Sequence, residues 1–264
     1  MGVIYSEQFD SMDFTSRARV AFALSGESDS GLSFGASFRA DNAGGAAGGS
    51  AGSVYISGAF GKLSMGDVDG AAQAATGHVA GVGLTGLGWA GVLGNTDANG
   101  DWGWDAYSSS GNGAEGIEAI YSAGAFTGHV SYSEPTLSSG ASAQKRAAAY
   151  GAYTMNDWTV ALGVQKSSVA AEDKVVLTVG GNVGDYGVGI GFADNDGTKK
   201  IALNGSATFG ATTVSVFVAD EESAAENAMG LGVSHDLGGA SLVAGVSQTE
   251  VGVTRADMGV SFSF

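Results

Sequence analysis

Apolar residues alternate with small or polar residues along most of the chain, and this period of two constrains the fold more than any other feature of the sequence. The alternation is clear in the segments 19–24, 32–39, 126–132, 158–165, 186–192, 201–209, 214–218, 242–246 and 258–264. Successive side chains of a β-strand point to opposite faces of its sheet. Each segment therefore predicts a strand with one apolar face and one face of Ser, Thr, Gly and Ala, with an occasional Arg, and the chain is predicted to be all-β.

The terminal strand indicates which kind of β protein this is. It ends in Phe264, on the same face as Val260 and Phe262. In an outer-membrane barrel, one face of such a strand touches lipid and the other faces a wet lumen. The alternative is that these residues form a buried edge strand of a soluble sandwich.

Composition excludes several other classes of protein. The chain has 264 residues, with 46 glycines, one proline and no cysteine. Glycine disfavours helices by about 1 kcal/mol per residue, and no stretch has the roughly 20 consecutive apolar residues that a transmembrane helix needs. The formal charge of −16 argues against nucleic acid as a partner, because phosphate binding needs a basic surface. The N-terminal residues show no signal peptide.

Connections of two lengths alternate between the predicted strands. The short connections lie at 27–30, 59–61, 123–125, 155–157, 181–185, 209–211 and 236–239. The longer ones lie at 8–15, 41–52, 67–115, 134–144, 166–173, 193–199, 220–227 and 249–253. Short turns on one side and long loops on the other are typical of outer-membrane barrels. We therefore predict one domain over residues 1–264, a 16-stranded antiparallel transmembrane β-barrel. A barrel of this size encloses an aqueous channel.

The longest connection, residues 67–115, is predicted to fold into the lumen as a constriction loop. Connections of this length are usually functional or disordered, and its three tryptophans argue against disorder. The tryptophans are Trp89, Trp102 and Trp104, and the carboxylates that would face the pore include Asp97, Asp101, Asp105 and Glu115. The alternative is an outer flap whose acids are merely solvated.

Arginines are predicted on the wall opposite this loop. Arg17, Arg19 and Arg39 share the inward parity of two neighbouring strands. A basic wall facing an acidic loop creates a transverse field, and charges arranged in this way set the ion preference of a channel. The alternative is that these arginines only bridge acids on neighbouring strands.

No motif indicates an enzyme or a nucleotide-binding protein. His78, His129 and His235 lack the spacing of metal ligands. The segment 81–86 matches the glycine pattern of nucleotide sites, but no βαβ unit surrounds it, and a chain this rich in glycine produces the pattern by chance. The segment 97–101 resembles part of a calcium loop without the rest of an EF-hand. A calcium ion between loop carboxylates stays an open alternative, and no other cofactor is expected.

Resemblance to a known family is carried by the stretches 14–20, 29–38, 57–67, 121–126, 209–214 and 259–264. These stretches resemble the general porins of alphaproteobacteria, the Rhodobacter-type porins, and the resemblance extends over the whole chain. It implies a trimeric outer-membrane channel whose third loop forms an eyelet of acids against wall cations. That role carries over to Arg17, Arg19 and Arg39, whereas the loop acids carry over only as a class because the loop diverges.

The two ends of the chain also have implied features. In this family a terminal aromatic residue resembles the signal that the outer-membrane assembly machinery reads, which here would be Phe264. Family members begin several residues earlier, so we expect a first strand shortened at Met1 and a last strand left partly unpaired near Phe264.

The expected function is that of a general-diffusion porin in the outer membrane of a Gram-negative bacterium. It would be a passive, weakly cation-preferring channel for small hydrophilic solutes and ions, with outer-membrane lipid, lipopolysaccharide and two further copies of itself as partners. One alternative is a solute-specific channel, in which Trp89, Trp102 and Trp104 form an aromatic slide for sugars. Another, from a different class, is an outer-membrane enzyme or a soluble adhesin domain.

Overall fold

The computed structural model of the chain describes residues 1–41, 52–66, 68, 70–77, 79, 81–88, 114–135, 145–168 and 172–263. These residues are mostly in strands, which are, in chain order, β1 Gly2–Ser6, β2 Ser11–Thr15, β3 Arg19–Glu27, β4 Ser33–Asp41, β5 Gly52–Gly58, β6 Gly61–Gly66, β7 Ala114–Ala123, β8 Phe126–Pro135, β9 Arg146–Met155, β10 Trp158–Ser167, β11 Lys174–Val183, β12 Tyr186–Asn195, β13 Thr198–Phe209, β14 Thr212–Glu221, β15 Ala228–Asp236, β16 Ala240–Gln248 and β17 Thr254–Phe262. A 3-10 turn at Glu7–Phe9 and a short helix, α1, at Ala71–Ala74 complete the described elements. In this part of the chain no helix is long and apolar enough to cross a membrane.

The strands form one antiparallel sheet in which the first and last strands are neighbours. Gly2 lies opposite Gly259, and Met1 and Val260 continue the contact with two backbone hydrogen bonds of 2.9 and 2.8 Å. Every strand has two neighbours except β2 and β3, which within the described residues pair only with β1 and β4, respectively. The sheet is therefore a barrel wall whose ring of ladders is interrupted at one place.

The strand count differs from the predicted sixteen because a predicted loop contains a strand. Residues 8–15 are predicted as a connection, whereas residues 11–15 form β2. β2 and β3 follow one another along the chain with only residues 16–18 between them. The outward side chains lie at even positions in both segments, since Met12 and Phe14 of β2 are exposed on the same face of the sheet as Val20 of β3. The two segments therefore occupy one strand position, so that 17 strands fill the positions of a 16-stranded barrel.

Two predicted connections have more structure than expected. Residues 193–199 are predicted as one of the longer loops, but β12 and β13 are joined by the two-residue turn of Asp196 and Gly197. Both turn residues have positive φ, 48° and 97°, which Asp-Gly adopts readily in a two-residue hairpin. The connection 67–115 contains α1, although no helix is predicted there.

The two faces of the wall differ in the way that the alternation predicts. Outward side chains such as Leu162 and Leu203 are apolar and about half exposed, at 50% and 47%. Six of the outward aromatic side chains lie at the short-turn ends of their strands, namely Tyr121, Phe126, Tyr153, Trp158, Tyr186 and Phe209. Aromatic rows flank the lipid-facing band of outer-membrane barrels, so this surface has the chemistry of a membrane-spanning wall.

Candidate pore lining

The inward faces of β3 and β4 form an open wall, in which small and hydroxylated side chains are exposed. Ala21, Ala23, Ser25 and Ser37 are exposed there, and along their strands they alternate with the apolar outward residues. Ser37 Oγ lies 3.0 Å from Ser53 Oγ, so hydroxyls on neighbouring strands hydrogen-bond to each other along the wall. Exposure on the inward face means that the lumen is open beside this wall.

The described residues of 68–88, here called the inner segment, cover another part of the lumen wall. Helix α1 packs against β8, β9, β10 and β11. The amide of Ala71 donates to Ser131 Oγ at 2.8 Å, and Thr178 Oγ1 donates to the carbonyl of Ala75 at 2.5 Å. Ala71 and Ala75 are fully buried. The predicted inward folding of the long connection is therefore confirmed for this segment.

The far end of the inner segment is held by Asp257, an inward residue of β17. Asp257 Oδ1 accepts a hydrogen bond from the amide of Leu84 at 2.9 Å. Its Oδ2 accepts two from Thr85, one from the amide and one from Oγ1, both at 2.7 Å. Asp257 is only 4% exposed, and hydrogen bonds to a charged group are stronger away from water. The inner segment thus runs from β8–β11 to β17 inside the barrel.

A tight turn forms the tip of the inner segment. The amide of Val82 donates to the carbonyl of Leu87 at 2.9 Å, and the two residues form a β-bridge. Gly83 and Gly86 have φ values of 78° and 73°, which glycine adopts without steric cost. The glycine pattern of residues 81–86 is therefore the sequence of this turn.

The predicted wall arginines lie at the start of the open wall. Arg17 belongs to the break between β2 and β3, and Arg19 begins β3. Both side chains are exposed, and both interact with other residues. Arg39 lies opposite Ala21 in the register, at a position of the same parity as Arg19. The side chain of Arg39 is outside the described part of the structure.

The other predicted site residues lie outside the described residues. They are Trp89, Trp102, Trp104, Asp97, Asp101, Asp105 and Phe264, together with the side chain of Glu115, whose backbone belongs to β7. The candidate calcium segment 97–101 lies there as well. Among the residues that are described, no group of three His, Asp or Glu side chains could hold a metal ion.

Two exposed inward cations were not among the predicted site residues. One is Arg255 on β17, and the other is Lys62 on β6. Lys62 Nζ lies 5.3 Å from the ring centre of Tyr55 and 3.9 Å from Glu118 Oε1. Glu118 Oε2 in turn lies 3.1 Å from His129 Nε2. Lys62 and Arg255 both have the inward parity of their strands, so the alternation alone contained the signal that would have found them.

Other inward cations are paired with carboxylates at the long-loop ends of the strands. Lys200 Nζ lies 2.9 Å from Glu221 Oε2 and 3.1 Å from Glu250 Oε1, and all three residues are buried. Arg146 donates from Nε and Nη2 to the two carboxylate oxygens of Glu172, both at 2.8 Å. Lys200 and Arg146 therefore add no net positive charge to the lumen.

Burial and this pairing act in opposite directions on the pKa of Glu172, which lies in the connection between β10 and β11. Burial alone would raise the pKa of Glu172. Hydrogen bonds from Arg146 and Ser167 and the positive charges of Arg146 and Lys174 outweigh burial, and together they hold the pKa below its ordinary value. Glu172 is therefore a carboxylate at neutral pH.

Comparison with known proteins agrees with this architecture. The profile of the Gram-negative porin family matches residues 1–253. A porin of Rhodobacter capsulatus is 35% identical over an alignment of 300 positions, which covers 100% of this chain and 97% of that porin. The resemblance to Rhodobacter-type porins is thereby confirmed.

Solved structures of porins are similar in fold. An engineered variant of the Rhodopseudomonas blastica porin superposes with a TM-score of 0.80 at 24% identity, covering 100% of this chain and 96% of that one. A second engineered variant, described as a porin of Rh. blastica, gives a TM-score of 0.82 at 23% identity with the same coverage. At this identity the likeness shows the fold alone. On the family profile and the full-length relative, the chain belongs to the Gram-negative porins, and it is a channel-forming β-barrel of the outer membrane rather than an enzyme.

Proposed function

We propose that this porin is a general-diffusion channel for small hydrophilic solutes and ions. The observation that carries the proposal is the open wall, where Ala21, Ala23, Ser25 and Ser37 are exposed on the inward face. Recognition of one solute requires a close-fitting, largely apolar pocket with a few placed polar groups. A wall of alanines and hydroxyls instead holds water, through which different small solutes pass.

A weak preference for cations is part of the proposal. The chain has 27 Asp and Glu residues against 11 Lys and Arg, and Lys200 and Arg146 are paired with buried carboxylates. Arg17, Arg19 and Arg39 would form the basic side of the constriction, facing the carboxylates Asp97, Asp101, Asp105 and Glu115 of the long connection. The exposed arginines oppose the excess of acids, which keeps the preference weak.

We also propose that the protein is a homotrimer in outer-membrane lipid and lipopolysaccharide. β1, β5 and β6 have only 5, 7 and 6 residues, whereas β7–β14 have 10 to 12. A strand needs about 9–11 residues to span the hydrocarbon core. Near these short strands, Phe9, Met12 and Phe14 are 72%, 70% and 95% exposed. The short strands β1, β5 and β6 are here called the low wall. A low wall beside large exposed apolar side chains suits contact with a second copy better than contact with lipid.

We also propose a role for the terminal residue and a metal ion at the long connection. Phe264 would act as the signal for outer-membrane assembly, and a calcium ion would bridge carboxylates of the long connection. Deleting Phe264 and measuring the fraction of protein that reaches the outer membrane tests the first. Measuring single-channel conductance before and after chelation tests the second.

Recordings in planar lipid bilayers test the proposed channel function. We expect stepwise conductance, a reversal potential in a KCl gradient whose sign indicates cation passage, and a magnitude below that of a perfectly cation-selective pore. In liposome swelling, the rates for sugars should fall smoothly with solute size. A reversal potential of the opposite sign would contradict the cation preference. Block of the current by a low concentration of one sugar would favour the solute-specific channel with Trp89, Trp102 and Trp104.

A further inference from the structure

We propose that Asp257 is a positioning residue that fixes the tip of the inner segment against the barrel wall and thereby sets the free width of the pore. The inference rests on the proposed function in one respect, namely that ions pass through this lumen. Asp257 belongs neither to the long connection nor to the predicted wall arginines.

The geometry of Asp257 is that of an anchor. Its carboxylate accepts three hydrogen bonds, all from Leu84 and Thr85, which lie 173 and 172 residues earlier in the chain. An ionised carboxylate only accepts hydrogen bonds, and both of its oxygens are used here. An amide at this position would present an NH2 group to one of these donors. Asp257→Asn therefore preserves the size of the side chain and removes part of the attachment.

Glycines in the neighbouring strands let the tip approach the wall at backbone distance. A Cβ atom on Gly245 would lie 2.5 Å from Gly83 Cα, and one on Gly232 would lie 2.9 Å from Val82 Cβ. On Gly259, the same atom would lie 2.8 Å from Leu84 Cδ2. Gly230, Gly232, Gly245 and Gly259 therefore form a glycine trough, which lies on the inward face of β15, β16 and β17.

The trough and the anchor act on the same turn of the inner segment. Gly83 lies in the trough, and the next two residues donate to Asp257. The other end of the segment is held by Ser131 and Thr178. Because the segment is fixed at both ends, it occupies a fixed part of the lumen, and the rest of the lumen beside the open wall stays free of it. Loss of the tip attachment would let the segment move into that space.

Single-channel recording of Asp257→Asn tests the proposal. We expect the single conductance level of the unaltered protein to be replaced by several levels with frequent transitions. Asp13→Asn is the matched control, because Asp13 is an inward carboxylate opposite Ile4, the residue that also faces Asp257 in the register. It lies two strands from the anchor, and removing it takes the same charge from the lumen.

Two further variants separate positioning from folding and from charge. Thr85→Ala removes one of the three hydrogen bonds without altering a barrel strand, and it should show the same transitions less often. The double variant Thr85→Cys with Asp257→Cys should show several levels when reduced and one level after a disulfide forms. Because the chain has no cysteine, this redox dependence would come from the tip attachment alone.

The outcomes discriminate between the two proposals. One conductance level in both Asp257→Asn and Thr85→Ala, or an equal change in Asp13→Asn, would overturn the positioning role. If Asp257→Asn does not fold, Thr85→Ala and the redox response of the double variant decide. Absence of conductance in the unaltered protein would instead overturn the proposed channel function.

Discussion

At the scale of single residues, the pairing of Glu172 with Arg146 should make the stability of the barrel depend on pH. The pKa of Glu172 is lowered in the folded protein. Its stabilising contribution is therefore fully present above the unfolded pKa of about 4.3 and is lost as the pH falls through the folded value. Glu172→Gln should lower the free energy of unfolding by about 2–3 kcal/mol at pH 7, because it leaves Arg146 buried without its counter-charge.

Urea unfolding in detergent micelles at pH 7 and at about pH 3 measures this difference. The gap between Glu172→Gln and the unaltered protein should shrink at the lower pH. Glu222→Gln is the control, since Glu222 is an exposed acid in the connection between β14 and β15. A gap that is the same at both pH values would show that the carboxylate charge of Glu172 does not contribute.

The sequence predicts residues of the pore lining only where their odd or even position in a strand, their parity, is enough to place them on the inward face. Parity alone is enough to place Lys62 and Arg255 on the inward face of their strands. Parity could not identify Asp257 as an anchor, because the two residues that donate its three hydrogen bonds lie more than 170 residues away and their position depends on how the inner segment folds. Side chains that act through long-range contacts leave no local pattern.

At the scale of elements, the contact between the inner segment and the glycine trough predicts opposite effects for two glycine substitutions. Gly245→Ala would place a Cβ atom 2.5 Å from Gly83 Cα, whereas a Cβ on Gly205 would be no closer than 3.7 Å to its neighbours. Overpacking of this kind costs about 1–3 kcal/mol. Gly205→Ala should be neutral or slightly stabilising, because alanine loses less conformational entropy on folding.

Urea unfolding and single-channel recording of the two variants check this prediction. Gly245→Ala should be less stable and should change the conductance, while Gly205→Ala should leave the conductance unchanged. Equal behaviour of both variants would mean that the tip does not lie on β15 and β16.

The strands were more predictable than the elements between them. Alternation identifies a strand wherever both of its faces have a constant environment, as in β10 and β12. It fails at β2, where a five-residue strand with Met12 and Phe14 adjoins the break at residues 16–18. Helix α1 was not predicted because its residues show no helical period. Its alanines are instead buried against neighbouring strands of the barrel wall.

At the scale of the whole molecule, the short strands predict where copies of the barrel meet. Phe14→Ser should weaken the trimer, since Phe14 is 95% exposed beside the low wall. Phe192→Ser is the control, because Phe192 is an outward aromatic residue on the long strand β12. The mass of the protein in detergent and the heat stability of the trimer measure the effect. A trimer that is as stable in Phe14→Ser as in Phe192→Ser would place the interface elsewhere.

The central claim is that the conducting lumen lies along the open wall, and thiol labelling during single-channel recording tests it most directly. The chain has no cysteine, so Ser37→Cys introduces a single thiol on the open wall and Phe38→Cys introduces one on the outward face next to it. A charged methanethiosulfonate reagent should reduce the current through Ser37→Cys and leave the current through Phe38→Cys unchanged. An unchanged current through Ser37→Cys, or an equal reduction in both variants, would contradict the claim.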